Sequence, residues 1–311
     1  MAEKIISTLT YQDFETSFNE VLSSYVKNSI KGTDFRYEHL TDDQNEELLL
    51  IIVKTLLEGN PIKAGESRIN DWDDGWGENL NLLKSEQVSV ENLTPKYFNK
   101  YNVVRLNGKF IQPVSEQFEK NTLGIILDWI SEKYFGNASH IYEFGCGTGH
   151  NLLRVRGVNK IAQLWGLDWA KSSQKIINMA RDSGIDSNIY SHNFDYYKPD
   201  YNFKLAPDSI IYTVASLEQV GDKWDKFVDY LLDQKPKLCV HIEPIAELLS
   251  QDNLLDYLSV QYFLKRNYLS GFLTGLRELE KQKKIRIFDA RRTNIGSLFI
   301  EGYSLVIWKP I

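Results

Sequence analysis

Three glycines at alternate positions follow an apolar segment that carries an acid near its end. The acid is Glu143, and the glycines are Gly145, Gly147 and Gly149. Glycine accepts the positive φ angles of a tight strand-to-helix turn and lets the backbone approach a ligand without a Cβ in the way. A dinucleotide fingerprint requires its third glycine three residues after the second, where this chain has His150. The spacing therefore predicts a ligand-binding turn and disfavours a nicotinamide cofactor.

This acid-x-Gly-x-Gly-x-Gly pattern resembles the first motif of class I S-adenosylmethionine (SAM) dependent methyltransferases. SAM carries an ammonium group and a positively charged sulfonium, so Glu143 and the carbonyls of the turn are favourable neighbours for it, directly or through water. The resemblance implies SAM as the cofactor and S-adenosylhomocysteine (SAH) as its product. The alternative is an ordinary strand, turn and helix without a cofactor, because a glycine-rich turn alone is weak evidence.

Two further apolar segments end in residues that suit a nucleoside. Asp168 ends the second segment, and an acid at that place in a βαβ unit accepts hydrogen bonds from ribose hydroxyls. By the same resemblance, Trp169 lies against the adenine ring. The third segment ends in Asn193, Phe194 and Asp195, where the family holds the adenine amino group, and Asp195 is the expected contact. Each acid alone would more often be a turn residue or a helix cap, so the interpretation depends on the set.

The resemblance implies an α/β fold with a doubly wound, mostly parallel, Rossmann-like sheet. Residues 209–216 and 237–244 are predicted as its fourth and fifth strands, and residues 285–292 and 303–308 suit an antiparallel closing pair. Open α/β sheets bind ligands beyond the carboxyl ends of their strands, so the acids at these ends should surround one crevice. Ser216, at the end of the fourth strand, belongs to the expected cofactor contacts.

Methyl transfer to an oxygen, nitrogen or carbon atom proceeds by in-line displacement, and a hydroxyl acceptor needs a base. Glu218, His241 and Glu243 are the candidate catalytic residues near the predicted strand ends. His241 and Glu243 lie two apart on a strand and so share a face. They suit a base with its carboxylate, or an oxygen-rich metal site with Glu218. The alternative for His241 is a hydrogen-bonded core residue, and the need for a metal stays open.

An insertion at residues 245–284 is longer than a crossover helix requires, and long connections commonly carry function. This stretch and the C-terminal tail resemble a group of bacterial methyltransferases described as putative sugar methyltransferases. The resemblance implies a sugar, nucleotide-linked sugar or glycan precursor as acceptor, with Arg266, Tyr268 and Arg292 facing it, since guanidinium groups bind phosphate well. These arginines could instead pair with surface acids. An acyl or aromatic natural product, or a regulatory subunit that binds SAM without turnover, are the alternative functions.

The region 1–136 is predicted to be mainly helical and to help define the substrate pocket. A capping-box pattern introduces a core helix at residues 41–58. Residues 68–79 are rich in acids, glycines and tryptophans, which predicts a lid loop whose Trp76 contacts substrate. Residues 103–111 alternate around Asn-Gly, which predicts a hairpin.

Composition limits the partners of the remaining domain, residues 137–311. The chain has 311 residues, 42% hydrophobic content and a net charge of −6. It lacks the dense basic stripe that neutralises phosphates, and the fourth strand is not followed by the Asn/Asp-Pro-Pro-aromatic tetrapeptide of many nucleic-acid methyltransferases, so a nucleic-acid substrate is disfavoured. No apolar run approaches the ~20 residues that span a bilayer. We expect a cytoplasmic enzyme for a small molecule, with its oligomeric state open.

Overall fold

The N-terminal part of the chain combines helices with short strands. The computed structural model describes residues 5–86, 88–98 and 100–311. In this part the strands are β1 (Ile6–Thr8), β2 (Arg36–His39), β3 (Val104–Leu106) and β4 (Lys109–Pro113). The α-helices are α1 (Tyr11–Phe18), α2 (Ser24–Lys31), α3 (Asp42–Leu57), α4 (Ile69–Ser85) and α5 (Phe118–Ile130).

Strands and helices alternate in the C-terminal part, as predicted for an α/β fold. Its strands are β5 (His140–Phe144), β6 (Gln163–Asp168), β7 (Ile189–Asn193), β8 (Ile210–Val214), β9 (Leu238–Glu243), β10 (Ile285–Arg291), β11 (Ile295–Gly296) and β12 (Ser304–Pro310). Its helices are α6 (His150–Val158), α7 (Lys171–Asp182), α8 (Asp225–Gln234), α9 (Leu254–Arg266) and α10 (Phe272–Lys281).

Seven of these strands form one sheet in the order β10-β12-β9-β8-β5-β6-β7. Strands β5 to β9 pair in parallel, while β12 pairs antiparallel with both β9 and β10. The mostly parallel sheet and the antiparallel closing pair confirm those two sequence predictions. The strand order reverses between β5 and β8, and the crevice beyond such a reversal is the usual ligand site of open α/β sheets.

His241 belongs to the core of this sheet. It is fully buried on β9, and its ring packs edge-on against Phe272 with centroids 5.0 Å apart. The indole nitrogen of Trp308 donates to Nε2 of His241 at 3.0 Å, and Nδ1 lies 3.0 Å from the hydroxyl of Thr213. Burial lowers the pKa of His241 to about 3. The prediction that His241 acts as a base is therefore wrong, because β9 is covered on both faces and this side chain points into the core.

A second sheet joins the two parts of the chain. Its order is β1-β2-β4-β3-β11, so a strand from the C-terminal part pairs with the N-terminal hairpin. The hairpin itself is β3 and β4, paired antiparallel. Asn107 and Gly108 connect the strands with φ angles of 47° and 74°, as the Asn-Gly turn of a two-residue hairpin requires.

Two N-terminal helices differ from the sequence prediction. Helix α3 begins at the expected Thr41 cap, but it is a surface helix, since Leu50 and Leu57 are 52% and 78% exposed. One stripe of α3 packs against α9, and its other apolar residues, Leu50 and Leu57 among them, face solvent. Residues 69–85 form helix α4 rather than a loop, because Leu80 and Leu83 continue the apolar face of the tryptophans and pack on α7. Two glycines inside α4 obscured that period. No helix in the described ranges has the length and hydropathy of a bilayer-crossing segment.

Replacing His241 by alanine should lower stability without affecting a site at the strand ends. The variant leaves a cavity and deprives the Trp308 indole of its acceptor, so we expect a loss of roughly 2–4 kcal/mol in the free energy of unfolding. Urea unfolding followed by circular dichroism measures this loss. An unchanged unfolding midpoint would contradict the core role of His241.

Candidate functional site

The glycine turn between β5 and α6 has no room for a side chain at Gly145 or Gly147. Gly145 and Gly147 have φ angles of 70° and 52°. A Cβ on Gly145 would lie 2.3 Å from the Cβ of Ser216, and one on Gly147 would lie 2.7 Å from Cζ2 of Trp76. These contacts join the turn to the end of β8 on one side and to helix α4 on the other. The turn therefore depends on glycine for both conformation and space.

A cavity of about 770 Å³ lies beside this turn, and we call it the glycine-turn cleft. It opens at the carboxyl ends of β5, β6 and β8, at the reversal of strand order. The cleft is lined by Trp72, Trp76, Pro95, Tyr97, Gly145, Cys146, Gly147, Thr148, His150, Asn151, Asp168, Trp169, Phe194, Tyr196, Val214, Ala215, Ser216, Gln219 and Val220.

Asp168 fixes the glycine turn from the end of β6. Its carboxylate accepts hydrogen bonds from the backbone N–H of Gly147 and of Ala170, each at 2.9 Å. The residue is 5% exposed, and burial raises its pKa to about 6. Asp168 thus lies on the wall of the cleft, where the sequence analysis expected a ribose contact.

Glu143 lies behind the turn rather than in the cleft. It is fully buried, and its carboxylate accepts hydrogen bonds from the Asn151 side chain at 2.8 Å and from the Tyr212 hydroxyl at 3.0 Å. Burial raises its pKa to about 8. The sequence analysis expected Glu143 to meet the cofactor directly or through water; in the structure its carboxylate holds Asn151, which lines the cleft.

Two polar residues at the end of β7, Asn193 and Asp195, lie beside the cleft and hydrogen-bond to backbone groups. Asn193 and Asp195 do not line it. Asn193 donates to the backbone carbonyls of Asp168 and Trp169 at 3.2 and 2.9 Å, and Asp195 accepts from the backbone N–H of Tyr197 at 2.8 Å. Both side chains therefore hold turns beside the cleft, and their contact with a cofactor stays a prediction.

Aromatic and hydroxyl groups at the same strand ends do face the cleft. Phe194 and Trp169 line it as expected, and so does Tyr196, which the sequence analysis missed. The hydroxyl of Tyr196 is 3.0 Å from the hydroxyl of Ser216, which in turn donates to the carbonyl of Phe144. The aromatic residues that follow β7 in the sequence are the signal by which Tyr196 could have been found.

Glu243 holds the turn that follows β8. Its carboxylate accepts hydrogen bonds from the backbone N–H groups of Ser216, Leu217 and Glu218 at 3.1, 3.1 and 3.2 Å. It is fully buried, and burial raises its pKa to about 7. Glu243 lines neither this cleft nor its neighbour. The catalytic role expected for it is therefore corrected to a positioning role.

A second cavity of about 1680 Å³, measured to its open mouth, adjoins the cleft. We call it the tyrosine chamber. Trp72, Tyr97, Ala215 and Gln219 line both cavities, so the two meet beyond the end of β8. The remaining lining residues are Ile51, Thr55, Pro61, Ile62, Arg68, Lys100, Tyr101, Glu119, Glu218, Tyr262, Arg266, Tyr268, Ser297, Phe299, Ile300, Gly302 and Tyr303.

Glu218 lies in the chamber next to the shared boundary. Its pKa is raised to about 8 by burial and by the adjacent carboxylate of Glu243. The amide nitrogen of Gln219 donates to it at 2.8 Å. The amide oxygen of Gln219 is buried without a partner, and this residue lines both cavities. A basic carboxylate and an unpaired acceptor thus occupy the junction.

The three predicted substrate contacts of the C-terminal part fall in different places. Arg266 and Tyr268 line the tyrosine chamber. Arg292 does not, because its guanidinium donates to both oxygens of Asp256 and of Glu301. The expectation that Arg292 faces a substrate is corrected: two buried carboxylates occupy its hydrogen-bonding edges.

Helix α4 covers both cavities with two tryptophans. Trp76 lies over Gly147 in the cleft, and Trp72 lines cleft and chamber. The sequence placed Trp76 against a substrate, whereas the structure places it in the cleft alone. Asp73 accepts from the backbone N–H of Ser172 at 2.7 Å and so ties α4 to the start of α7.

Several chamber residues escaped sequence analysis. Tyr97 and Tyr101 lie four residues apart in one segment, but Tyr262 and Tyr303 come from distant segments, and no local period connects the four. Within residues 5–86, 88–98 and 100–311, no group of three or more His, Cys, Asp or Glu side chains is arranged to hold a metal ion.

No protein-family model and no curated protein matches the sequence. The crystal structure of the [4+2]-cyclase SpnF is similar with a TM-score of 0.50 and 14% identity, over 80% of this chain and 97% of that chain. The N-methyltransferase NodS from Bradyrhizobium japonicum WM9, in complex with SAH, gives a TM-score of 0.47 and 13% identity, over 76% of this chain and 99% of that chain. The O-methyltransferase NcsB1 from neocarzinostatin biosynthesis, in complex with SAM and a naphthoic acid, gives 0.47 and 13%, over 86% and 70%. The likeness to SpnF shows a shared α/β fold, and a fold alone does not set the reaction.

Replacing Glu143 by glutamine should flatten the dependence of stability on pH. With a folded-state pKa of about 8, the acid keeps its proton in the native state while the unfolded chain ionises near its ordinary value. The contribution of Glu143 to native stability is therefore fully present below about pH 4.5 and is lost as pH rises from there through about 8. The variant carries no charge, so we expect it to gain on the order of 4 kcal/mol over the wild type between pH 5 and pH 9.

Urea unfolding at both pH values measures that gain. Glu58→Gln, a change on the exposed surface, is the matched control and should run parallel to the wild type. Parallel curves for Glu143→Gln and the wild type would show that the buried carboxylate is not the source of the dependence.

Proposed function

We propose that this protein is a SAM-dependent methyltransferase for a small-molecule acceptor. SAM would occupy the glycine-turn cleft, and the acceptor would occupy the tyrosine chamber. The observation that carries the proposal is the junction of the two cavities beyond the end of β8. Four residues line both cavities there, with Glu218 beside them. Two ligands that each fill one cavity therefore meet next to a carboxylate.

The residues of the cleft fit an adenosyl group with an amino-acid tail. The turn at Gly145 and Gly147 lines the cleft and packs closely against Ser216 and Trp76, which line it too. Asp168 offers a carboxylate for hydroxyls, and Trp169 and Phe194 offer flat apolar surface for a base. The Nδ1 atom of His150 is buried without a partner at the start of α6. Such an unpaired polar atom is satisfied when a ligand enters.

When bound, SAM supplies an electrophilic methyl group: the acceptor's lone pair forms the new bond as the carbon–sulfur bond breaks and its electron pair stays on sulfur. The protein contributes positioning, which supplies most of the acceleration in such displacements. Glu243 fixes the turn that presents Glu218, and Gln219 orients the Glu218 carboxylate. If the acceptor is a hydroxyl, its proton passes to the carboxylate of Glu218 and then to solvent.

The chamber favours one of the acceptor classes that the sequence left open. A sugar, nucleotide-linked sugar or glycan precursor was the first expectation. Seven of the chamber's lining residues are aromatic: Trp72, Tyr97, Tyr101, Tyr262, Tyr268, Phe299 and Tyr303. Such walls support the alternative expectation, an acceptor with a large apolar or aromatic part.

A regulatory subunit that binds SAM without turnover is the second candidate function. The likeness to a cyclase of the same fold shows that methyl transfer does not follow from architecture. Calorimetry with SAM and SAH, combined with transfer of a labelled methyl group to extract metabolites, separates the candidates. Binding without any transfer would support the regulatory subunit.

The Gly147→Ala variant should bind SAH about tenfold more weakly or worse, because the alanine must adopt a left-handed conformation and displace Trp76. Titration calorimetry with SAH measures the affinity. Gly184→Ala is the matched control, since Gly184 also has a positive φ of 81° but has open space where a Cβ would lie. Wild-type affinity in Gly147→Ala would place the SAM site elsewhere.

The rate of methyl transfer to a hydroxyl should rise with pH. The base form of Glu218 predominates only above its pKa of about 8, so kcat/KM should increase through that value. The rate of methyl transfer should fall by a factor of about 10²–10⁴ in Glu218→Gln. The rise of kcat/KM with pH should also disappear in this variant, while its affinity for SAH stays near the wild type. A retained rise in Glu218→Gln would assign the base to another group.

A further inference from the structure

We infer that the acceptor is an aromatic acid, with its ring against the wall formed by Tyr262 and Phe299 and its anionic group on Arg266. This inference rests on the proposed function of the tyrosine chamber as the acceptor site. It names the substrate class through two properties of the chamber: the shape of its aromatic walls and a guanidinium that has no ion pair among the described residues.

Rings from separate segments form an ordered aromatic wall. Tyr262 on α9 stacks on Phe299, with centroids 4.5 Å apart and planes 12° apart. Tyr101 meets the same Phe299 edge-on at 5.2 Å, and Tyr268 meets Tyr262 edge-on at 6.2 Å. Stacked and edge-on arrangements of this kind continue well onto another flat ring.

Most polar groups of the chamber belong to ionisable and phenolic side chains. The amide and aliphatic hydroxyl side chains of the lining are Gln219, Ser297 and Thr55. The other polar side chains are Arg68, Lys100, Glu119, Glu218, Arg266 and the five tyrosines Tyr97, Tyr101, Tyr262, Tyr268 and Tyr303. These groups are compatible with a sugar as well as with an acid, so the preference for an aromatic acid comes from the aromatic wall and from Arg266.

Arg266 differs from the other partly buried arginines. Arg154, Arg156 and Arg292 each form an ion pair with a carboxylate. Within the described part of the chain, no ion pair of Arg266 is found at hydrogen-bonding distance. Its contacts are with Tyr262 and Tyr268: Nη1 lies 3.3 Å from the Tyr262 hydroxyl, and the guanidinium carbon lies 4.8 Å from the centre of the Tyr268 ring.

The remaining donors of Arg266 are placed for an anion. Its Nε is buried without an acceptor, and a guanidinium binds a carboxylate through two parallel hydrogen bonds. The other basic groups of the chamber are less suited. Arg68 already pairs with Asp71 at 2.9 Å, and Lys100 is exposed. An anionic group in the chamber therefore belongs on Arg266.

The orientation that follows directs the rest of the acceptor toward the cleft. Arg266 and Glu218 line the same chamber, and Glu218 is next to the residues shared with the cleft. A ring whose carboxylate binds Arg266 presents a hydroxyl substituent toward Glu218. That hydroxyl forms its oxygen–methyl bond as the carbon–sulfur bond of SAM breaks with its electrons on sulfur, and its proton passes to Glu218.

The test is calorimetry on the SAH-loaded protein with 4-hydroxybenzoate and 4-hydroxycinnamate as probes. We expect binding of at least one acid, weakened about 10- to 100-fold in Arg266→Gln, since a hydrogen-bonded charge pair is worth about 1.5–3 kcal/mol. The methyl esters of the same acids should bind the wild type and Arg266→Gln within about twofold, because they lack the charge. Arg266→Lys should recover part of the loss, as a single cation without the fork.

Arg181→Gln is the matched control, because Arg181 lies on α7 outside both cavities and pairs with Asp182 at 3.2 Å; it should leave acid affinity near the wild type. SAH affinity of each variant reports folding and the cleft separately. If SAH fails to bind the wild type, the proposed function itself fails. If SAH binds but neither acid binds, or Arg266→Gln binds the acids as well as the wild type, the inference of an aromatic acid is overturned. Binding of glucose 1-phosphate in preference to both acids would also overturn it and restore a phosphorylated sugar.

Discussion

Buried carboxylates at the carboxyl ends of the parallel strands hold the turns from which both cavities are built. Asp168 binds the backbone N–H of Gly147, and Glu243 binds three consecutive N–H groups after β8. Glu143 accepts a hydrogen bond from the side chain of Asn151, in the first turn of α6, and so fixes the helix that follows the glycine turn. A charged acceptor satisfies backbone donors more strongly than a neutral one, but burial opposes its charge. The raised pKa values of these acids reflect that opposition, so turn geometry and protonation state are tied together.

The two cavities differ in the parts of the chain that line them. The cleft combines the glycine turn and the strand ends of the large sheet with side chains of the N-terminal part, among them Trp76 and Tyr97. The chamber is made by side chains from distant segments, among them Trp72 of α4, Tyr262 of α9 and Phe299 beyond β11. The pairing of β11 with β3 brings the last of these segments to the N-terminal part. The strand ends of the large sheet thus form most of the cleft, and the elements added to that sheet form most of the chamber.

Local features were accessible from the sequence because neighbouring residues determine them. The glycine turn, the Asn-Gly hairpin and the succession of strands depend on conformational preference and apolar period. The errors concern residues whose role is set by distant partners. His241 and Glu243 do share a face of β9, but β9 is central and covered on both sides, so a shared face does not point into the crevice. Two carboxylates, Asp256 and Glu301, occupy the guanidinium of Arg292. No pattern in the sequence near Arg266 indicates that this arginine has no acidic partner among the described residues.

Helix α4 carries Trp76 over the glycine turn and Trp72 at the junction, four residues earlier on the same side of the helix. Their rings lie 5.7 Å apart and nearly parallel, and Asp73 anchors the helix to α7. A ligand that displaces one indole would therefore move the other, and with it the wall of the neighbouring cavity. Any coupling of this kind is reciprocal, since each ligand would alter the affinity for the other by the same factor.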